Sequence, residues 1–227
     1  SLTGVWKEEH VFELAQSYSI YHFYHAKLKE CDAKIEEHLR EKSGVDTFEE
    51  PQKKKSNKNN LNFNGKEMLY ELTGTDLAEI FGITETNAIE IISEVGLDMS
   101  KWPTVKHFTS WLNLAPNNKI SGGKVLSSRI PKKKNHAGQI FRMAAFAIQR
   151  SKNWLAMFYN RIKAKNGAPK AIVATARKIA AIFYKMVKER VKFNPIPIEK
   201  YMDGFKENQI KKLKRQAKNL GLQIVEM

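Results

Sequence analysis

The run Asn117-Asn118-Lys119-Ile120-Ser121-Gly122-Gly123-Lys124, continuing through Ser127, Ser128, Arg129 and Pro131 to Lys132, Lys133, Lys134 and Asn135, gathers hydroxyls, cations and a glycine pair in one stretch. Glycines let a backbone approach a phosphate closely, and cations stabilise negative charge on phosphoryl oxygens. Ser121 is therefore a candidate nucleophile or anchoring hydroxyl. Lys119, Gly122, Gly123, Lys124, Arg129, Lys132, Lys133 and Lys134 are candidates for holding a phosphodiester. A serine hydroxyl is a weak nucleophile until something activates it, so phosphate binding and catalysis both stay open on chemistry alone. Gly123-Lys124 is not a nucleotide-binding P-loop. That motif needs Gly five residues before its second Gly and Ser or Thr after its Lys, where this chain has Asn118 and Val125.

The surroundings limit what can assist. No Asp or Glu occurs between Met99 and Lys188. A carboxylate pair for acid/base work or for holding Mg²⁺ cannot come from that stretch. Over 227 residues, 39 Lys and Arg stand against 24 Asp and Glu, a formal charge of +15, with most acids before Met99. So uneven a balance calls for a polyanionic partner, nucleic acid first and anionic membrane second. There is no apolar run long enough to span a bilayer and no secretory signal pattern, so a soluble, intracellular protein is expected. The one cysteine, Cys31, excludes an internal disulfide framework and any multi-cysteine zinc site. A chain opening on Ser1 is expected to be a piece of something longer.

The positioning elements are mainly α-helical. Val11, Leu14, Tyr18, Tyr21, His25, Leu28, Ile35 and Leu39 recur at alternating steps of three and four, a heptad seam interrupted at Asp32. Residues 1–50 are thus expected to form a coiled coil or a helical hairpin. His10, His22, His25 and His38 lack a third ligand at metal spacing and are core or surface residues rather than zinc ligands. Residues 51–66 read as a polar linker. A compact helical domain follows over 67–191, and a basic helix and tail over 192–227.

Within that domain Leu69, Leu72, Leu77, Ile80 and Phe81 lead into Gly82-Ile83-Thr84 and then Ala88, Ile89, Ile91 and Ile92, suggesting a helix-hairpin-helix. Its turn amides could face a phosphate, although Glu85, Glu90 and Glu94 favour a purely structural hairpin equally. The stretch 117–135 is expected to be a loop. Beyond it come two long helices, His136 to Lys165 and Ala168 to Val191. Their expected packing faces are Ile140, Met143, Ala144, Ala147, Ile148, Trp154, Leu155 and Phe158, and Ile172, Ala176, Ile179, Phe183 and Val187. A helix from Tyr201 to Leu220 and a short strand from Leu222 to Val225 complete the expectation.

Several motifs together carry a family resemblance: Leu72-Thr73-Gly74-Thr75-Asp76-Leu77, Phe81-Gly82-Ile83, Ser93-Glu94-Val95-Gly96, Phe108-Thr109-Ser110-Trp111-Leu112, Asn117 to Lys124, Arg142 to Ala145, Gly167 to Ala171 and Ala174 to Lys178. With them the chain closely resembles the C-terminal transposase part of the insertion-sequence "one-ten" family, the bridge-RNA-guided DNA recombinases. Glu9 to Leu14 and Cys31-Asp32 look like that family's coiled coil, and Tyr201 to Gly221 like its C-terminus. The resemblance implies that Ser121 attacks the DNA backbone to give a phosphoserine intermediate. It also implies that Mg²⁺ is held by the carboxylates of a RuvC-like nuclease domain absent from this sequence, with no metal or cofactor bound by this chain. The implied partners are DNA, a guide (bridge) RNA and further copies of the chain, as dimer or tetramer through the coiled coil. Membrane is excluded, and the place is the prokaryotic cytoplasm near the nucleoid. Alone, such a chain is expected to be inactive. The alternative is a noncatalytic nucleic-acid-binding module or an inactive truncated remnant.

Overall fold

Phe108, Phe141 and Phe183 are each fully buried, and their ring centroids lie 5.5–6.5 Å apart. They come from three helices far apart in sequence, and around them the mainly helical fold of the second half of the chain is built. The computed structural model describes residues 4, 6–44, 61, 63–130 and 135–221. The chain divides into two compact units, Ser1–Gly74 and Thr75–Met227.

In the first unit, α1 (Glu8–Ser43) is one uninterrupted helix ending at Gly44, whose left-handed φ of 68° suits glycine and whose N–H reaches Arg40 O. Glu8 and Glu9 at its start and Arg40 and Lys42 at its end suit the helix dipole. None of its residues is buried. The heptad seam is on the surface: Leu14 is 69% exposed, Tyr18 63% and Leu28 57%. The short α2 (Gly65–Thr73) starts at Asn64, whose side chain accepts from Glu67 N, and ends at Gly74. Of the expected linker over 51–66, residues 51–60 and 62 lie outside the described residues, and its last two, Gly65 and Lys66, already belong to α2.

The second unit opens with a 3₁₀ turn at Leu77–Glu79, then α3 (Glu85–Val95), a second 3₁₀ turn at Met99–Lys101, and α4 (Val105–Trp111). Each start has a side-chain cap. Asp76 accepts from Ala78 N, Thr84 from Asn87 N, Asp98 from Ser100 N and Thr104 from His107 N. Hydrogen bonding from Ser100 holds the Asp98 carboxyl below its usual range. A two-stranded antiparallel sheet follows, β1 (Lys119–Ser121) and β2 (Lys124–Ser127), then α5 (His136–Ala147), α6 (Trp154–Asn166), α7 (Ala168–Glu189) and α8 (Ile198–Asn219). The long α7 is the spine, packing against α4, α5 and α6. Its buried stripe of Ala171, Thr175, Ala176, Ile179, Ala180, Phe183, Tyr184 and Val187 follows helical spacing, and its alanines allow close approach.

Four expectations change. The helix expected over His136 to Lys165 is two: the chain leaves helical geometry after a 3₁₀ turn at Ile148–Arg150, and Asn153, extended and buried, restarts it by accepting from Ala156 N at 2.9 Å. On α5 the buried face is Ala137, Ile140, Phe141, Ala144 and Ala145, while Met143 is 58% exposed, because contact with α7 selects a stripe one residue away from Met143. The helix expected to run into Gly82 stops at Thr73, and only a 3₁₀ turn precedes the glycine. The expected loop at 117–135 carries the β-hairpin. The suggested strand at 222–225 lies outside the described residues.

Candidate functional site

Gly122 and Gly123 have φ of 55° and 73°, the left-handed pair that a two-residue hairpin turn requires. They join β1 to β2, so the Gly-Gly pair is a structured turn. Asn117 N donates to Arg129 O at 3.1 Å and closes the base of the arm. Among the described residues nothing lies within 4 Å of a side chain built at either glycine, which leaves room at the tip for an incoming ligand.

The register fixes which side chains share a face. Ser121 pairs with Lys124, Ile120 with Val125, and Lys119 with Ser127, with an irregularity between Lys119 and Ile120 that leaves Leu126 without a partner. Cross-strand partners stand on the same face, with Cβ atoms about 5 Å apart, as do alternate residues along a strand. Ser121 therefore shares a face with Lys124 opposite and Lys119 two residues before it. All three are exposed. Among the described residues the Ser121 hydroxyl makes no hydrogen bond. Ile120 and Leu126, 62% and 71% exposed, leave the arm with apolar surface as well. Arg129 is exposed, and its N–H donates to Ser127 Oγ at 3.4 Å. Lys132, Lys133 and Lys134 lie outside the described residues.

The arm is small and exposed, but its root is clamped. After α4 the chain passes through Asn113, a non-glycine with φ of 55°. Its carbonyl accepts from Arg142 Nη2 on α5 at 2.8 Å. Burial lowers the Arg142 guanidinium pKa without bringing it near neutrality. At the other end of the segment, Asn135 caps α5 by accepting from Gly138 N at 2.7 Å, while its Nδ2 donates to Trp111 O at 3.2 Å. Gly138 allows this contact, since a Cβ there would collide with the Leu112 carbonyl. Arg142, Asn135 and Gly138 thus hold the arm's two ends together. Of these, Asn135 and Gly138 carried a readable signal: an N-cap residue type, and a glycine inside a helix marking close approach.

The two histidines nearest the hairpin in sequence, His107 and His136, have partners of their own. His107 Nδ1 lies 2.8 Å from Thr104 Oγ1, and His136 Nδ1 lies 3.4 Å from Glu94. Among the described residues no three His, Cys, Asp or Glu side chains converge on a possible metal position. The chain's own described donors therefore do not fit a Mg²⁺ site. The Gly82 turn is occupied structurally: a Cβ there would lie 2.6 Å from Ala144 O and 2.7 Å from Ile148 Cγ2, and Ile83 N already donates to Ile80 O. That turn packs on α5, which favours the structural hairpin over a phosphate contact. Among the described residues no helix is long and apolar enough to cross a membrane.

Residues 74–160 match the family model described as Transposase IS116/IS110/IS902 family. The span covers less than half of the 227-residue chain and includes the hairpin, Asn113, Asn135, Gly138 and Arg142. It supports a transposase role for the segment that builds the arm. No curated protein matches the chain.

Proposed function

We propose that this chain is the part of a DNA transposase that cleaves and exchanges strands and that Ser121 is its nucleophile. One observation carries the proposal: an exposed serine at the end of β1, flanked on its face by Lys119 and Lys124 and adjoining an open Gly-Gly turn, on an arm clamped to a rigid helical body. In the reaction the Ser121 Oγ forms a bond to phosphorus as one bridging P–O bond of the backbone breaks. The departing oxygen keeps the electron pair and takes up a proton, and the energy of the phosphodiester is retained in the phosphoserine link. Lys119 and Lys124 offset charge on the non-bridging oxygens, and Arg129 and Lys132 to Lys134 bind the flanking strand.

The hydroxyl proton leaves to a base from outside the hairpin. A RuvC-like nuclease domain on the same polypeptide or a neighbouring subunit is the proposed source of carboxylates and Mg²⁺. Guide RNA is the second proposed polyanion, and α1, with none of its seam buried, is the proposed oligomerisation element.

A second reading is a module that grips nucleic acid without cutting it: the exposed Lys119 and Lys124 beside Ser121 suit phosphate binding alone as well. Ser121→Ala separates the two in a protein that carries the nuclease domain. Loss of strand transfer and of the covalent protein–DNA adduct, with binding retained, is the expected result. An adduct that survives the substitution removes Ser121 from the mechanism.

A further inference from the structure

Lys178 and Lys185 are two turns apart on α7, so their side chains leave the same side of the helix about 10 Å apart along its axis. Both line a groove of about 300 Å³ together with Lys192, Phe193 and Ile196 of the segment following α7, and with Trp154 at the start of α6. The groove combines two chemistries. Trp154, Phe193 and Ile196 give it an apolar lining, and Phe81 fixes the Phe193 ring by an edge-on contact at 5.2 Å. Lys178, Lys185 and Lys192 are all exposed and add three cations, while no carboxylate lines it. Among the described residues the acid paired with one of the three is Glu189, 3.8 Å from Lys185 Nζ, and both side chains are more than half exposed. Such a pair is weak in water.

A duplex presents stacked, paired bases and has no use for an apolar cleft of this size. An apolar peptide side chain would fill the cleft but leave three ammonium groups without counter-charge. An unpaired nucleotide answers both: its base has an apolar face, and the phosphates on either side meet the lysines. The volume lies at the small end of ligand clefts, room for one base rather than a helix. We infer that this groove holds one unpaired base of a DNA single strand, with Lys178, Lys185 and Lys192 on the neighbouring phosphates. The choice of DNA rests on the transposase function proposed above, while the groove itself is separate from the hairpin. A site for an unpaired base suits a protein that must keep a strand open while it is exchanged.

The test uses the whole chain, a fluorescein-labelled thymidine oligonucleotide, a labelled duplex and a uridine oligonucleotide of the same length, with binding read by anisotropy. Replacing the three lysines together, K178Q/K185Q/K192Q, should weaken single-strand DNA binding roughly tenfold or more and duplex binding less than about twofold. Phe193→Leu, which keeps an apolar side chain but removes the ring, should weaken the single strand several-fold while the melting temperature falls by no more than a few degrees. Undiminished single-strand affinity in the lysine variant overturns the inference, as does equal loss on both DNA forms or tighter binding of the uridine strand. If the unaltered chain binds neither DNA form, the proposed function itself fails. If it binds DNA but is indifferent to the groove, only this inference fails.

Discussion

Arg142 reaches from α5 to the carbonyl of Asn113, 2.8 Å away, at a point where the backbone turns through a left-handed conformation unusual outside glycine. A partly buried guanidinium thus holds the conformation from which the hairpin arm departs. β1 and, on β2, Lys124 and Leu126 are exposed, so the arm's direction depends on its root.

Arg142→Met keeps the apolar stem but removes the donor. A charge-assisted hydrogen bond to the carbonyl of buried Asn113 contributes about 1.5–3 kcal/mol, so the melting temperature should fall by several degrees. Limited proteolysis between Asn117 and Asn135 should speed up by more than the global loss explains. Unchanged cleavage would show that the clamp does not govern the arm.

Two glycines of similar φ should respond differently to alanine. At Gly82 the new Cβ meets Ala144 O at 2.6 Å and Ile148 Cγ2 at 2.7 Å, so strain and clash together should cost about 3 kcal/mol. At Gly122 the space is open and only the φ of 55° is penalised, roughly 1 kcal/mol. Urea unfolding midpoints measure the difference. Equal costs would mean that the Gly82 turn does not pack on α5 as described.

Neutralising the serine's flanking cations should change salt dependence more than fold. Lys119→Gln with Lys124→Gln should flatten the slope of log K against log salt by about 1.8 for duplex DNA, two phosphate contacts' worth, and leave stability within about 0.5 kcal/mol. A slope identical to that of the unaltered chain would place the phosphates elsewhere.

Tyr201 rests against Trp154, with centroids 5.8 Å apart, and its hydroxyl is buried without a hydrogen-bond partner among the described residues. Burial raises its pKa above 10, opposed by nearby Arg161. The unfolded chain therefore ionises first as pH rises. Stability is unaffected below about pH 10 and falls between the unfolded pKa and the raised folded one. Tyr201→Phe should remove this alkaline loss and leave stability at neutral pH equal or slightly higher, since no hydrogen bond is given up. Thermal melts across the alkaline range decide it, and an unchanged alkaline slope in the variant would disprove the assignment.

The seam of α1 leaves large apolar side chains exposed. With Leu14 69% exposed and Leu28 57% exposed, the whole chain should run as a dimer or tetramer in light scattering. Leu14→Lys with Leu28→Lys should give a monomer without loss of helix in the second unit. A monomeric unaltered chain would rule out self-association through α1.

What the sequence determined by itself was local or additive. Charge sums without regard to fold, so the acid-free stretch from Met99 to Lys188 already called for a polyanion. Helical periodicity is set by 3.6 residues per turn, so α1 and α7 were legible nearly to their ends, and the Ser-Gly-Gly-Lys run marked the candidate serine. The Gly-Gly pair also held a hairpin signal, but register exists only once two strands pair, and that pairing put Lys119 and Lys124 on the face of Ser121. Tertiary structure alone decided contacts between residues distant in the chain. Met143 lost its place in the core to Phe141 because α7 offered one face and not the other. Gly82 became a packing residue because α5 crosses it, and Arg142 became the arm's anchor because Asn113, twenty-nine positions away, presents a carbonyl to it. Which neighbour a side chain meets depends on the whole chain's burial, which no local spacing encodes.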